Sequence, residues 1–194
     1  MRSVIVFSML SLATVATAVA PVPRKAPEFQ FNFADGSHTL LSQYRGKVVM
    51  IEFLHTTCPH CQETSKQFSK LYTEFGSQGF QPIGVAWNEM SKMLVPDFIK
   101  NNGVNFPVAY SDRDTVMSYI GASVMERVMV PQMMWIDRKG MIRAQTVPAA
   151  DTDQQLRTEA FWREEIKKLL AEDAGGASKN ASHTTSAVHK SKGA

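Results

Sequence analysis

The sequence predicts an α/β fold in which a mixed central β-sheet is flanked by helices and extended at its N-terminal side by a strand or hairpin. Apolar, strand-like runs alternate with amphipathic helical runs through the middle of the chain, which implies parallel pairing with crossover helices. A hairpin signal late in the chain adds antiparallel strands. The 194 residues, 44% hydrophobic and 20% charged, suffice for one domain with its own core.

The first half of the predicted domain shows both periodicities. Strands are indicated where apolar residues alternate with polar ones or form short β-branched runs, and a helix where they recur every three or four residues. The predicted elements are a half-buried strand over 29–33, a buried strand over 47–54, a helix from Cys61 to Gly76 and a strand over 80–87. The long helix follows directly on the buried strand.

The second half contains shorter elements and ends in a longer helix. Glycines and prolines mark most of the boundaries. The predicted elements are a helix with Pro96 in its first turn, an extended piece over 106–110, a helix over 114–120, a hairpin turning at 137–140 and a final helix. Thr152 and Gln155 have the spacing of a capping box for the final helix.

Residues 1–20 have the pattern of an export signal. Arg2 precedes an apolar stretch over 4–19, and small residues suit cleavage after Ala18 or Ala20. An uncleaved membrane anchor is the alternative, although the stretch is barely long enough to span a bilayer. Either arrangement places the domain in the periplasm or another extracytoplasmic space, where disulfides persist.

The segments on either side of the predicted domain differ from it in composition. We expect 21–27 to be a stiff, proline-rich linker, 28–172 the folded domain and 173–194 a disordered tail. Three tail lysines and Arg2 carry four positive charges, and subtracting these four from the net charge of +3 leaves about −1 for the rest. The pI of 8.9 therefore gives no reason to expect nucleic acid as a partner.

The only two cysteines form a Cys58-Pro59-His60-Cys61 motif at the predicted strand-to-helix junction. Unpaired N–H groups at a helix start point at the first sulfur and favour its thiolate, the nucleophile of disulfide exchange. Cys61 is near enough to close a small disulfide ring and expel a bound partner. Two cysteines this close are a poor basis for a disulfide-stapled scaffold or a structural zinc site. The motif therefore predicts redox chemistry, with His60 placed to stabilise the Cys58 thiolate.

Three segments of the chain resemble the TlpA/ResA-like branch of the thioredoxin superfamily. They are APEFQFNFADGS, KVVMIEFLHTTCPHC and VPQMMWIDRKGMI, within a similarity over 26–170. The resemblance implies a thioredoxin-like fold and a thiol–disulfide oxidoreductase in which Cys58 is the nucleophile and Cys61 the resolving cysteine. It also implies that the partners are exported protein thiols and disulfides.

The resemblance implies a substrate-binding surface as well. Pro131 matches the cis-proline that faces the C-x-x-C motif in the family. Val130 is then expected to place its backbone beside Cys58, where an extended substrate strand can pair with it. We assign Pro59 to the same surface.

Glu52 is the remaining candidate. It lies six positions before the first cysteine, where thioredoxin-like proteins often hold a buried acid. Because it alternates with Ile51 and Phe53, it points to the opposite face of the strand. We expect it to be buried and neutral and to relay the proton when Cys61 attacks.

Scaffold and motif imply opposite redox directions. The TlpA/ResA-like scaffold implies a reductase, whereas the Pro-His dipeptide between the cysteines is the one found in DsbA-type oxidases. Stabilising the Cys58 thiolate favours the reduced enzyme and makes it a stronger oxidant. We favour a reductase, with a membrane electron donor or acceptor as redox partner. Thr57, where Trp is common, and Gln132, where Thr is common, are departures that bear on substrate preference.

Two other functions stay open at this point. A thiol peroxidase would have Pro and Thr in its pocket motif where this chain has Ile51 and His55. A copper carrier of this superfamily typically has C-x-x-x-C, one residue longer than the spacing here. His55 and His60 with both sulfurs would suit a soft metal, but we interpret His55 as a surface-loop residue. We expect no metal, no cofactor and a monomer.

Overall fold

The computed structural model describes residues 20–123, 125–148 and 152–172. The strands within these ranges are β1 (Arg24–Lys25), β2 (Gln30–Asn32), β3 (His38–Leu40), β4 (Val48–Leu54), β5 (Phe80–Ala86), β6 (Val108–Tyr110), β7 (Gln132–Ile136) and β8 (Met141–Gln145). The α-helices are α1 (Pro59–Phe75), α2 (Ser91–Asn102), α3 (Arg113–Ile120) and α4 (Glu159–Glu172). The expected tail and, except for Ala20, the expected export signal lie outside the described residues.

The strands form one mixed sheet in the order β1-β8-β7-β4-β5-β6-β2-β3. The pairs β4–β5 and β5–β6 are parallel and the other neighbours are antiparallel. The predicted fold class is therefore confirmed. All seven residues of β4 are buried because it lies at the centre of the sheet. The residues that follow β4 consequently emerge at the middle of one sheet edge, where the cysteine motif begins.

Helices cover both faces of the sheet. Alternate residues of β4 face opposite sides: Met50 and Leu54 belong to the core under α1, α2 and α4, whereas Ile51 and Phe53 belong to the core under α3. Glu52 is in step with Met50 and Leu54, so its side chain is turned toward α1. This is the orientation that the sequence predicted for it.

Helix α1 is held by its inner face and by its first turn. Phe68 and Leu71 are fully buried, and the Phe68 ring lies 4.6 Å from the Trp162 ring of α4, centroid to centroid. Burying side chains of this size contributes about 1.5–3 kcal/mol each. Pro59 occupies the first helical position, where its missing N–H costs no hydrogen bond. The helix ends at Phe75, one residue before the predicted Gly76 stop.

The expected linker over 21–27 is in part a strand. Arg24 and Lys25 form β1, which pairs with Ile142 and Met141 at the edge of the sheet, and Ala26 is buried. The Ala26 N–H donates to the Gly140 carbonyl. An edge strand leaves a row of unpaired backbone groups, and this short segment satisfies part of that row.

Two helix starts differ from their predictions. Helix α2 begins at Ser91, so Pro96 lies inside it rather than in its first turn. Because proline has no N–H, the Lys92 carbonyl lacks its usual helical hydrogen bond. Both residues are exposed, so water can bond to this carbonyl instead. Helix α4 is preceded by a 3-10 turn over Gln154–Arg157 and begins at Glu159, where the Thr158 hydroxyl accepts the Phe161 N–H at 3.3 Å. The prediction of a Thr152/Gln155 capping box is therefore wrong.

In the described part of the chain, no helix has both the length and the apolarity to cross a membrane.

Candidate active site

Cys58 lies between the end of β4 and the start of α1. It is the N-cap residue of the helix, and its sulfur accepts the Cys61 N–H at 3.4 Å. The side chain of Cys58 is partly exposed, whereas Cys61, one turn on, is fully buried. Both cysteines are thiols in this structure. A partner can therefore reach the first sulfur but not the second.

The loop before Cys58 is fixed by a side chain from the next strand. Asn88, just after β5, accepts the Thr56 N–H at 2.9 Å and donates to the Thr56 hydroxyl at 3.0 Å. Gln62 of α1 donates to the Thr56 carbonyl at 3.0 Å. These contacts tie the loop to both neighbouring elements, which holds Cys58 at one position. Neither Asn88 nor Gln62 was predicted as a site residue. Asn88 reaches the loop only through the parallel pairing of β4 with β5, which the local sequence does not show.

The Val130–Pro131 peptide bond is cis, as the resemblance implied. Pro131 directly precedes β7, which pairs antiparallel with β4, so this loop meets the end of β4 at the same sheet edge. The Cys58 S–H donates to the Val130 carbonyl at 3.9 Å. The backbone of Val130 thus lies beside the accessible sulfur.

Glu52 is buried beneath the dithiol. Its exposure is 0%, its Oε2 accepts the Ser65 hydroxyl at 2.7 Å, and its buried Oε1 has no hydrogen-bond partner among the described residues. Burial raises the pKa of Glu52 to about 8, against the opposing effect of the Ser65 hydrogen bond. Burial also raises the pKa of Cys61, and the nearby Glu52 carboxylate raises it further. The burial and orientation predicted for Glu52 agree with the structure, which places this acid close enough to influence the Cys61 thiol.

Ser65 is a site residue that the sequence analysis missed. It lies four residues after Cys61, so both face inward from α1, and it is fully buried. The signal was available, since a serine one helical turn from the second cysteine lies on the inner face of the helix, and a buried hydroxyl requires a partner. Glu52 is that partner.

Pro59 and His60 are exposed at the start of α1. His60 lines a groove of about 440 Å³ that passes between α1 and the cis-proline loop, with Val130 and Pro131 on its other side. Among the described residues, no hydrogen bond joins His60 to Cys58. Its predicted effect on the thiolate therefore stays a prediction, whereas its place beside the accessible sulfur makes it part of the surface that a partner would meet.

His55 is not the surface-loop residue that the sequence suggested. It is half-buried, and its ring lies 4.4 Å from the Trp87 ring, edge to face. Its buried Nε2 has no hydrogen-bond partner in the part of the chain that the structure describes. Burial lowers the pKa of His55. Within the residues that the structure describes, no three side chains of His, Cys, Asp or Glu are close enough to hold a metal ion.

Comparison with known proteins identifies the family. The family model described as "AhpC/TSA family" matches residues 22–145, which is more than half of the chain. The chain belongs to the AhpC/TSA family. Relatives of this AhpC/TSA-family chain include the thiol-disulfide oxidoreductase ResA of Geobacillus kaustophilus, 30% identical over 157 residues, and that of Geobacillus thermodenitrificans, 28% identical over 157 residues. Each alignment covers 81% of this chain and 80% of the relative.

Solved structures agree with the fold. A thiol:disulfide interchange protein from Chlorobium tepidum has a TM-score of 0.62 at 22% identity, covering 78% of this chain and 99% of its own. Another from a Bacteroides species has a TM-score of 0.64 at 19% identity, covering 86% and 99%. Together with the ResA relatives, they make this AhpC/TSA-family chain a thiol–disulfide oxidoreductase of the thioredoxin superfamily, similar to ResA as the sequence resemblance indicated.

Proposed function

We propose that this oxidoreductase is exported and reduces disulfides in protein partners, with Cys58 as the nucleophile and Cys61 as the resolving cysteine. The observation that carries this proposal is the contrast between the two sulfurs. Cys58 is accessible, accepts a helix N-terminal N–H and lies beside the Val130 backbone, whereas Cys61 is fully buried one turn behind it. A buried thiol cannot meet a protein disulfide first.

In the reductive direction the exchange has two steps. The Cys58 thiolate attacks one sulfur of the partner disulfide; an S–S bond forms between Cys58 and the partner, and the partner's second sulfur leaves as a thiolate that takes up a proton. Cys61 then attacks the Cys58 sulfur, forms the Cys58–Cys61 disulfide and releases the partner's first sulfur. Two electrons have passed to the partner, which leaves as a dithiol.

Glu52 is our choice for the proton acceptor in the second step. Cys61 must lose its proton to attack, and burial raises its pKa, so a nearby base is needed. A carboxyl with a pKa of about 8 is close to the pH at which such a base is most effective. When Glu52 is ionised, its Oε1, which has no hydrogen-bond partner among the described residues, can take the proton.

The assignment of Val130, Pro131 and Pro59 to substrate binding follows from their positions around Cys58. An extended partner segment can pair with the Val130 backbone, as strands add to exposed backbone edges in other peptide-binding proteins. Export rests on the pattern of residues 1–20, and a membrane electron donor would then be required to restore the dithiol. We expect the protein to act as a monomer.

The proposal is tested by trapping. With Cys61→Ser, Cys58 should form a mixed disulfide with a protein partner that persists on a non-reducing gel, because the resolving step is lost. With Cys58→Ser, no such adduct should form, because Cys61 is buried. Equal trapping by both variants, or by neither, would sink the assignment of roles.

The direction of transfer is tested by the reduction potential of the Cys58–Cys61 pair, measured by equilibration with glutathione. A value near about −270 mV, as in thioredoxin, supports a reductase. A value near about −120 mV, as in DsbA, would make the protein an oxidant and would assign the tuning role to His60. The His60→Ala variant provides the comparison, since loss of a thiolate-stabilising group moves the potential to a more negative value.

A further inference from the structure

The cis-proline loop has a side-chain donor on each of three consecutive carbonyls. Gln132 Nε2 donates to the Met129 carbonyl at 2.8 Å, and Arg157 Nη1 donates to the Pro131 carbonyl at 2.7 Å. Among the described residues, the Val130 carbonyl between them accepts only the long contact from Cys58. The two flanking carbonyls are therefore held by strong bonds, while the middle one stays available.

The N–H of Val130 is available as well, since it donates to no acceptor among the described residues. The neighbouring Met129 N–H, by contrast, is paired with the Pro148 carbonyl at 3.1 Å. Within the described part of the chain, the N–H of Val130 thus has no acceptor, and its C=O, which lies beside the accessible sulfur, has no backbone donor. An extended polypeptide pairs through such an N–H and C=O, and the pairing requires that both point outward at a fixed angle.

Arg157 is placed to fix the orientation of this backbone, because its guanidinium bonds both the Pro131 carbonyl and Asp153. Its Nε donates to Asp153 Oδ1 at 3.0 Å and its Nη2 to Asp153 Oδ2 at 3.3 Å, which leaves Nη1 for Pro131. The Asp153 side chain is 4% exposed, the Arg157 side chain is 16% exposed, and Asp153 also accepts the Val147 N–H at 2.6 Å. The rigid guanidinium fork is therefore anchored from below on a buried carboxylate.

We propose that Arg157 is a positioning residue for protein substrates, because it orients the Val130–Pro131 backbone for pairing with an extended polypeptide. The inference rests on the proposed function and deepens it. The pair that Arg157 forms with Asp153 is neutral overall, so its effect is on geometry rather than on the charge near Cys58. Small disulfides, which have no polypeptide strand to pair, do not depend on it.

The test compares two disulfides in single-turnover reactions of the pre-reduced protein. Insulin supplies a protein disulfide, and hydroxyethyl disulfide supplies one without a peptide backbone. Two variants are used: Arg157→Lys, which keeps a positive charge opposite Asp153 but cannot bond both partners, and the double change Asp153→Asn with Arg157→Met, which leaves no unpaired buried charge. The matched control is Glu159→Gln with Arg163→Met, a more exposed pair at the same i,i+4 spacing, in which Arg163 also pairs with Glu74.

We expect both Arg157 variants to react with insulin about tenfold more slowly, in the range of one lost hydrogen bond. Their rate with hydroxyethyl disulfide should change by less than about twofold. The reduction potential of their Cys58–Cys61 pair should equal that of the wild type within experimental error. The control pair should match the wild type with both disulfides. The lysine variant keeps the ion pair, so it provides the reading if the double variant fails to fold.

Equal loss of rate with both disulfides would overturn the assignment, because it would show a general effect on the dithiol. An unchanged insulin rate would overturn it too. If the wild-type protein exchanges with neither disulfide, the proposed function itself fails and the inference falls with it. That outcome is distinct, because it appears before any variant is compared.

Discussion

Replacing Glu52 by glutamine removes one ionisable group from the centre of the molecule and changes little else in shape. The carboxyl is completely buried, and the Ser65 hydroxyl that donates to its Oε2 can donate equally to the amide oxygen of glutamine. The amide nitrogen then replaces Oε1, for which the described residues offer no hydrogen-bond partner. Placing two unpaired N–H groups there costs about 1–3 kcal/mol of stability at every pH.

The pH-dependent part of the effect has the opposite sign. The pKa of Glu52 is raised from 4.5 to about 8 in the folded protein, with burial as the main cause. Between these values the unfolded chain has lost the proton that the folded chain retains, so stability falls as the pH rises. At about 1.36 kcal/mol per pH unit, the loss reaches about 3 kcal/mol at pH 7 and about 5 kcal/mol at pH 8 and above.

The wild-type and Glu52→Gln stability curves should therefore cross. Below about pH 5 the variant is the less stable protein by about 1–3 kcal/mol, and at about pH 8 it is the more stable one. The two effects cancel between about pH 5 and 7. The variant should also resolve mixed disulfides more slowly, because glutamine cannot accept the Cys61 proton.

Urea unfolding followed by tryptophan fluorescence, with the cysteines kept reduced, measures both curves. His55, whose pKa is lowered by burial, contributes a pH dependence of the opposite sign, but it is present in both proteins and cancels in their difference. Glu63→Gln on the exposed side of α1 is the matched control and should follow the wild type within about 0.5 kcal/mol. Parallel curves for wild type and Glu52→Gln would refute the reasoning, since they would mean that Glu52 titrates normally.

Two further substitutions test the surroundings of this carboxyl. Ser65→Ala removes the side-chain hydrogen bond that favours the Glu52 carboxylate, so the pKa of Glu52, followed by carboxyl-carbon NMR, should rise above about 8. The control is Ser69→Ala: the Ser69 hydroxyl donates to the Ser65 carbonyl, so its loss should leave the pKa of Glu52 unchanged. Gly84→Ala should destabilise the protein by about 1–3 kcal/mol, because its Cβ would lie 3.1 Å from Val108 Cγ1 and 3.3 Å from Leu54 Cδ2. An unchanged urea midpoint would show that these side chains move aside freely.

The sequence determined those parts of the site that lie close together along the chain. The run from Glu52 to Ser65 contains a strand, a short loop and the first turns of a helix, and the two periodicities decide which side chains face the core. This is why the place of Cys58 at the start of the helix and the inward turn of Glu52 were predictable. Ser65 belongs to the same run and was equally accessible to that reasoning.

The helix starts that were placed wrongly show where local signals fail. The Thr152/Gln155 spacing fits a capping box, yet Asp153 between them is buried and bound to Val147 and Arg157, so the chain makes a 3-10 turn instead. A buried carboxylate that needs partners outweighs a cap worth about 1 kcal/mol. Local sequence carries no record of such a partner.

Tertiary structure alone decided what surrounds the accessible sulfur. Val130 is 72 residues from Cys58 in the chain and lies beside it only because β7 pairs with β4 at the centre of the sheet. No periodicity extends over such a separation, and only the resemblance to a known family indicated Pro131. Neither periodicity nor the family resemblance indicated the hydrogen bond from Arg157 to the Pro131 carbonyl. It depends on a carboxylate and a guanidinium four residues apart in one turn and on a backbone carbonyl of the cis-proline loop, and these two segments meet only when the packing of the whole domain brings them together.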